Sequence, residues 1–178
     1  MAAAHGITLL ARQDFYGGRY ALIKSDGTPT PDFFTALLFK TLVSTDVITV
    51  QGGFVSNETI RGYAFCARPS ATAPAGSLVV LLLNVQNRTA VVAYGAGVAS
   101  ATPRLEYVLT SGAGGLTSPD VMLNGAGPLR VAADGSMPTL TGVPGRGSTT
   151  SLPPYSYGYV VLAGAKAAAC SAVGAVWL

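Results

Sequence analysis

Apolar and polar residues follow two rhythms along this chain, and the change falls near residue 45. Residues 7–11 (ITLLA) are continuously apolar, the pattern of a strand covered on both faces, as in a parallel sheet. Arg12, Gln13 and Asp14 follow, then Tyr16-Gly17-Gly18, which permits a sharp turn. Residues 28–32 (TPTPD) read as a helix start. Thr30 can cap, Pro31 suits the first helical position, and Asp32 favours the positive helix end. Phe33, Phe34, Leu37, Leu38, Leu42 and Val43 then recur at helical spacing, which predicts a helix over 31–44.

Beyond residue 45 the pattern predicts strands alone, at 46–51, 60–67, 78–84, 89–94, 104–110, 120–123, 128–132 and 156–163. Turn residues separate them, among them Gly52-Gly53, Asn124-Gly125, Asp134-Gly135 and Pro153-Pro154. Many short strands with this punctuation indicate a β-sandwich. Tyr155, Tyr157 and Tyr159 alternate, so they would share one strand face, read here as sandwich core. The expected fold is mainly β, with one β/α unit ahead of the sandwich. That unit cannot bury both strand faces alone.

Composition narrows the function. The 178 residues suffice for one domain, or a domain with a fragment of another. Only 11% are charged and 49% are hydrophobic, so the chain is not of the disordered class. The eleven Lys and Arg are scattered singly and give a net charge of +3, with no basic stripe to follow a phosphate backbone; nucleic acid is not an expected partner. One His and two Cys cannot build a tetrahedral zinc site, and neither a metal nor a cofactor is expected. The apolar runs at 78–83 and 167–178 are too short to span a membrane. Residues 1–5 (MAAAH) do not read as a signal peptide.

Candidate chemistry is sparse. None of the eight carboxylates forms a pair at successive barrel-strand ends, as a glycosidase would need. Asp14 alone follows the buried strand, where barrel active sites collect. There is no Gly-x-Ser-x-Gly elbow, and His5 has no evident partner, so no catalytic residue is assigned. Residues 112–115 (GAGG) and 145–148 (GRGS) read as loops, since no Lys-Ser/Thr and no helix follow the first. Cys66 and Cys170 could be bridged or could be two buried thiols; arithmetic leaves both readings open. Asn57-Glu58-Thr59 and Asn87-Arg88-Thr89 are N-glycosylation sequons, placing candidate sites at Asn57 and Asn87.

Residues 12–20 (RQDFYGGRY) and 29–38 (PTPDFFTALL) resemble the C-terminal part of heparanase-like proteins, glycoside hydrolase family 79, with the plant branch nearest. Residues 104–110 (RLEYVLT), 122–125 (MLNG), 152–157 (LPPYSY) and 165–170 (AKAAAC) continue the likeness in order, over about 7–170. The resemblance implies a (β/α)8 barrel with a β-sandwich and retaining cleavage of β-glucuronide linkages. It makes 1–45 the last barrel strand and helix, 46–170 the sandwich and 171–178 a tail. It implies that Gly18 and Tyr20, the ends of a Gly-x-Tyr motif, bind the uronic-acid carboxylate; Arg19 stands where the family usually has Asn. It also pairs Cys66 with Cys170.

The same resemblance places the family's two catalytic glutamates on earlier barrel strands, so Glu58 and Glu106 are not their equivalents. A missing N-terminal barrel portion becomes the expected partner, and a glucuronide-containing glycan or glycoside the ligand of the complete enzyme. A secretory-pathway setting is implied, extracellular, lysosomal, vacuolar or membrane-associated. The competing expectation is a non-catalytic β-sandwich module that binds glycan or protein.

Overall fold

The computed structural model describes residues 7, 11, 13–48, 59–95, 103–145 and 147–171. The strand expected at 7–11 and the sequon at Asn57 lie outside them in whole or in large part.

A coil over 13–30 leads into one helix, α1 (Pro31–Leu42). Nine strands follow among the described residues: β1 (Val43–Ile48), β2 (Ile60–Ala67), β3 (Leu78–Asn84), β4 (Ala90–Ala93), β5 (Arg104–Ser111), β6 (Val121–Leu123), β7 (Val143–Gly145), β8 (Thr149–Leu152) and β9 (Ser156–Leu162). Seven of them form an antiparallel sheet in the order β1-β2-β3-β9-β5-β6, with β7 also on β5. β6 pairs with Leu109–Ser111 and β7 with Arg104–Glu106, so the two divide the outer edge of β5 between them. β4 and β8 form a separate two-stranded sheet. The result is sandwich-like, with two sheets and a single helix ahead of β1. No barrel closes among the described residues.

Two clusters explain the layering. On one face of the large sheet, Phe65, Val79, Tyr107, Leu109, Tyr159 and Val161 receive Phe34 and Leu38 from α1. On the other, Val80, Leu82, Val108, Val160 and Leu162 receive Ala90 and Leu152 from the small sheet. The central strands β3 and β9 are therefore apolar at consecutive positions rather than at alternate ones, because both faces are covered. Gly158 in β9 permits this closeness, since a methyl group there would stand 2.8 Å from Leu152 Cδ2.

Helix α1 ends two residues earlier than its apolar pattern suggests. Val43 is already extended, is 2% exposed and begins β1 without an intervening turn. Thr30 does not cap the helix with its side chain; its hydroxyl donates instead to the Leu22 carbonyl at 3.0 Å. Pro31 and Asp32 carry the helix start as expected. The Tyr159 hydroxyl donates to the Thr35 carbonyl at 3.0 Å and ties helix to sheet. Burial raises the Tyr159 phenol pKa strongly.

Three expectations are corrected. Residues 128–132 form no strand: Pro128 makes a single bridge to Met122, and proline cannot donate to a ladder. Val143–Gly145 and Thr149–Leu152, where no strand was expected, are strands, and the loop read at 145–148 is the turn between them apart from Gly145. Of the three alternating tyrosines only Tyr159 is core. Tyr155 precedes β9 in a turn, and Tyr155 and Tyr157 are exposed by 43% and 40%.

Cys66 on β2 and Cys170 in a short 3-10 turn (Ala168–Cys170) are joined by a disulfide, with Cα atoms 5.3 Å apart. The Gly76 amide donates to the Cys170 carbonyl at 2.9 Å and Ala167 returns a bond to the Gly76 carbonyl at 3.0 Å, so the chain beyond β9 is also hydrogen-bonded to the β2–β3 turn. No described helix is long and apolar enough to cross a membrane.

Candidate functional site

The coil at 13–30 has no regular element, yet backbone pairs hold it. Gly17 N–H donates to the Ile23 carbonyl and Ile23 N–H to the Phe15 carbonyl, both at 2.9 Å. Thr30 N–H returns to the Leu22 carbonyl at 2.9 Å, and Lys24 N–H closes on Thr28 at 2.9 Å. Asp26 accepts from Thr28 N–H at 2.8 Å, and that bond holds its carboxyl below the usual range. Tyr16 donates its hydroxyl to the Ser25 carbonyl at 2.8 Å. Ala21, 3% exposed, is the buried anchor.

Gly18 and Tyr20 lie together in the tight turn of this coil, where Ala21 N–H donates to the Gly18 carbonyl at 3.2 Å. Tyr20 is 67% exposed, and Phe15 and Tyr16 are similarly open. A methyl group at Gly18 would overlap the Asp14 carboxylate, so this position accepts only glycine unless Asp14 moves. Such a turn can offer a backbone N–H and a phenol to an incoming oxygen anion. Asp14, noted in the sequence for its place after the first apolar run, thus packs directly on the candidate carboxylate-binding turn. Asn87, the described sequon residue, is exposed in the bend after β3.

A second feature was not legible in the sequence. Where α1 begins, the sheet face it covers continues past it as a groove of about 230 Å³. Asp32 and Thr35 line it from the helix, Ser118 and Asp120 from the loop after β5, and Tyr155 and Tyr157 from β9 and its preceding turn. Asp120 is in an ion pair with Arg130 at 2.7 Å.

Glu106 is fixed in a structural network. Arg104 Nε donates to its Oε1 at 2.8 Å, and the Thr150 hydroxyl donates to the same oxygen at 2.7 Å. Tyr94 and Thr150 share a hydroxyl hydrogen bond of 2.7 Å, while Arg104 also donates to the Gly147 and Thr149 carbonyls and lies under the Tyr94 ring. Burial pushes the Tyr94 phenol up to about 12. The network joins β5 to β8, and to Tyr94 just after β4, across the two sheets.

No protein-family model matches the chain. It is, however, distantly related to heparanases. Heparanase of Bos taurus is 32% identical over 173 residues, which cover 96% of this chain and 32% of that protein. Inactive heparanase-2 of Mus musculus is 30% identical over 183 residues, again 96% of this chain and 31% of the relative. Heparanase-like protein 3 of Arabidopsis thaliana is 28% identical, covering 96% of this chain and 35% of the relative. The chain thus spans about a third of the length of these relatives. The likeness is shared between animal and plant proteins and does not favour the plant branch expected from the motifs.

Proposed function

We propose that this chain is the C-terminal portion of a family 79, heparanase-like glycoside hydrolase that cleaves β-glucuronide linkages. One observation carries the reading: the relationship to heparanases runs through 96% of the chain but only about a third of theirs. In this reading residues 1–45 hold the last strand and helix of a (β/α)8 barrel, and 46–170 are the sandwich beside it. Gly18 and Tyr20 hold the uronate carboxylate of the substrate, and the two catalytic glutamates come from sequence outside these 178 residues. The exposure of Phe15, Tyr16 and Tyr20 supports the reading, since a turn that meets both a barrel and a sugar needs contact surface of this kind. Asn57 and Asn87 are its proposed glycosylation sites, in keeping with a secretory setting.

Purified as it stands, the 178-residue chain is expected to release no chromophore from an aryl β-glucuronide. Turnover that a single carboxylate substitution in this chain abolishes would overturn the assignment of the catalytic groups elsewhere.

The relationship to a protein named inactive heparanase-2 favours one second reading, a non-catalytic module. A retained affinity for glycan with no hydrolysis in the complete protein separates the two.

A further inference from the structure

We propose that Arg19 is the specificity-determining residue of the Gly18–Tyr20 turn, selecting a carboxylate-bearing sugar over a neutral one by setting a guanidinium against the ligand's charge. The inference rests on the reading of that turn as a uronate site and adds the residue that fixes the ligand's charge. The Ala21 N–H closes on the Gly18 carbonyl at 3.2 Å, so Arg19 and Tyr20 are the two corner residues of one turn. Both are exposed. Adjacent corners place a guanidinium and a phenol within reach of one bound group.

The charges around the turn call for such a residue. The coil at 13–30 carries Asp14, Arg19, Lys24 and Asp26. Asp26 is committed to Thr28, and its carboxyl is lowered first by that bond and then by the field of Lys24. Asp14 and Arg19 are left, and they do not pair with each other. Among the described residues neither side chain makes an ion pair or a hydrogen bond. Asp14 is half-buried, with its carboxylate packed against Gly18. A fixed carboxylate there repels a second one arriving at the same turn. A phenol and a backbone N–H are neutral donors and leave that repulsion unopposed. The uncommitted guanidinium next to Gly18 supplies the opposing charge, and its planar fork matches the two oxygens of a carboxylate. A neutral hexose draws no such gain from it, so Arg19 sorts uronate from hexose. Because Arg19 is exposed, its attraction is also open to screening by salt.

The test titrates the full, isotope-labelled 178-residue chain with methyl β-D-glucuronide and with methyl β-D-glucopyranoside. Two-dimensional NMR follows the amides of residues 18–21 and the Arg19 Nε–H. Saturable shifts with the glucuronide, weakened by added salt, are expected, with the glucoside far weaker. Arg19→Asn should weaken the glucuronide roughly tenfold or more and remove the salt effect. Arg19→Lys keeps the charge without the fork and should fall between the two. Asp14→Asn should act in the opposite sense and tighten the glucuronide, since it removes the repelling charge. Arg19→Asn should keep the parent melting temperature, because the side chain it replaces is exposed and holds no described contact. Glucuronide binding at the turn that is unchanged in Arg19→Asn would overturn this inference and leave the uronate turn standing. The absence of any saturable shift at 18–21 would overturn the uronate turn itself, and this inference with it.

Discussion

Replacing Cys66 and Cys170 together by serine is expected to lower the melting temperature by roughly 10–20 °C. The bridge spans a sequence separation of 104 residues. In the chain-entropy model, a loop of that length stabilises the fold by about 4–5 kcal/mol, because it removes conformations from the unfolded chain. For a chain of this size, each kcal/mol moves the midpoint by roughly 2–4 °C. A second contribution has the same sign. Cys66 is 3% exposed on β2, and the serine hydroxyl put in its place is polar in a buried setting. Reduction of the parent chain should reproduce most of the drop, while the double variant should be insensitive to reductant. A parent melting curve that does not respond to reductant would show that the bridge contributes nothing to stability.

Arg104→Met should be nearly as costly. Arg104 has only 3% of its side chain exposed, and it faces Glu106, which is 19% exposed. The guanidinium serves one carboxylate and two carbonyls at once. Removing it leaves Glu106 with Thr150 as its remaining described partner in a largely dry place. Deleting one member of a buried pair costs about 3–5 kcal/mol, much of it the penalty of the stranded charge. Chemical denaturation should therefore show a clear loss of midpoint at unchanged slope. The double variant Arg104→Met/Glu106→Leu should recover much of the loss, since both desolvation penalties disappear together. If the double variant is as unstable as the sum of the two single ones, the residues are not coupled and this account of the network is wrong.

The sequence made most of the fold legible where apolar residues dominate. β2, β3, β5 and β9 lie close to where periodicity and runs placed them, and α1 differs only at its end. What escaped was built from polar atoms. β8 reads Thr-Thr-Ser-Leu, and one of its two inward residues, Thr150, is buried with its hydroxyl bonded to Tyr94 and Glu106. Hydrophobic periodicity does not register a buried hydroxyl. β7 contains Pro144, which argues against a central strand, but β7 sits at the sheet edge, where proline is tolerated. Tyr157 and Tyr159 are equivalent in any period-two pattern. The point where α1 starts separates them, and that is a tertiary fact. Gly17 and Gly18 mark a turn in the sequence, but the role of Gly18 and Tyr20 follows from family likeness rather than pattern. No periodicity marks a coil, and the packing of Asp14 on Gly18 appears only in three dimensions.

We propose that residues 18–20 supply the uronate-binding turn of a glucuronide-cleaving enzyme. The most direct measurement is a hybrid in which this chain replaces the corresponding third of Bos taurus heparanase, assayed on an aryl β-glucuronide. Turnover by the hybrid is expected, with KM raised about tenfold by Tyr20→Phe through loss of one hydrogen bond to a charged group. A folded hybrid that hydrolyses the glucuronide equally well with either residue at position 20 would contradict it.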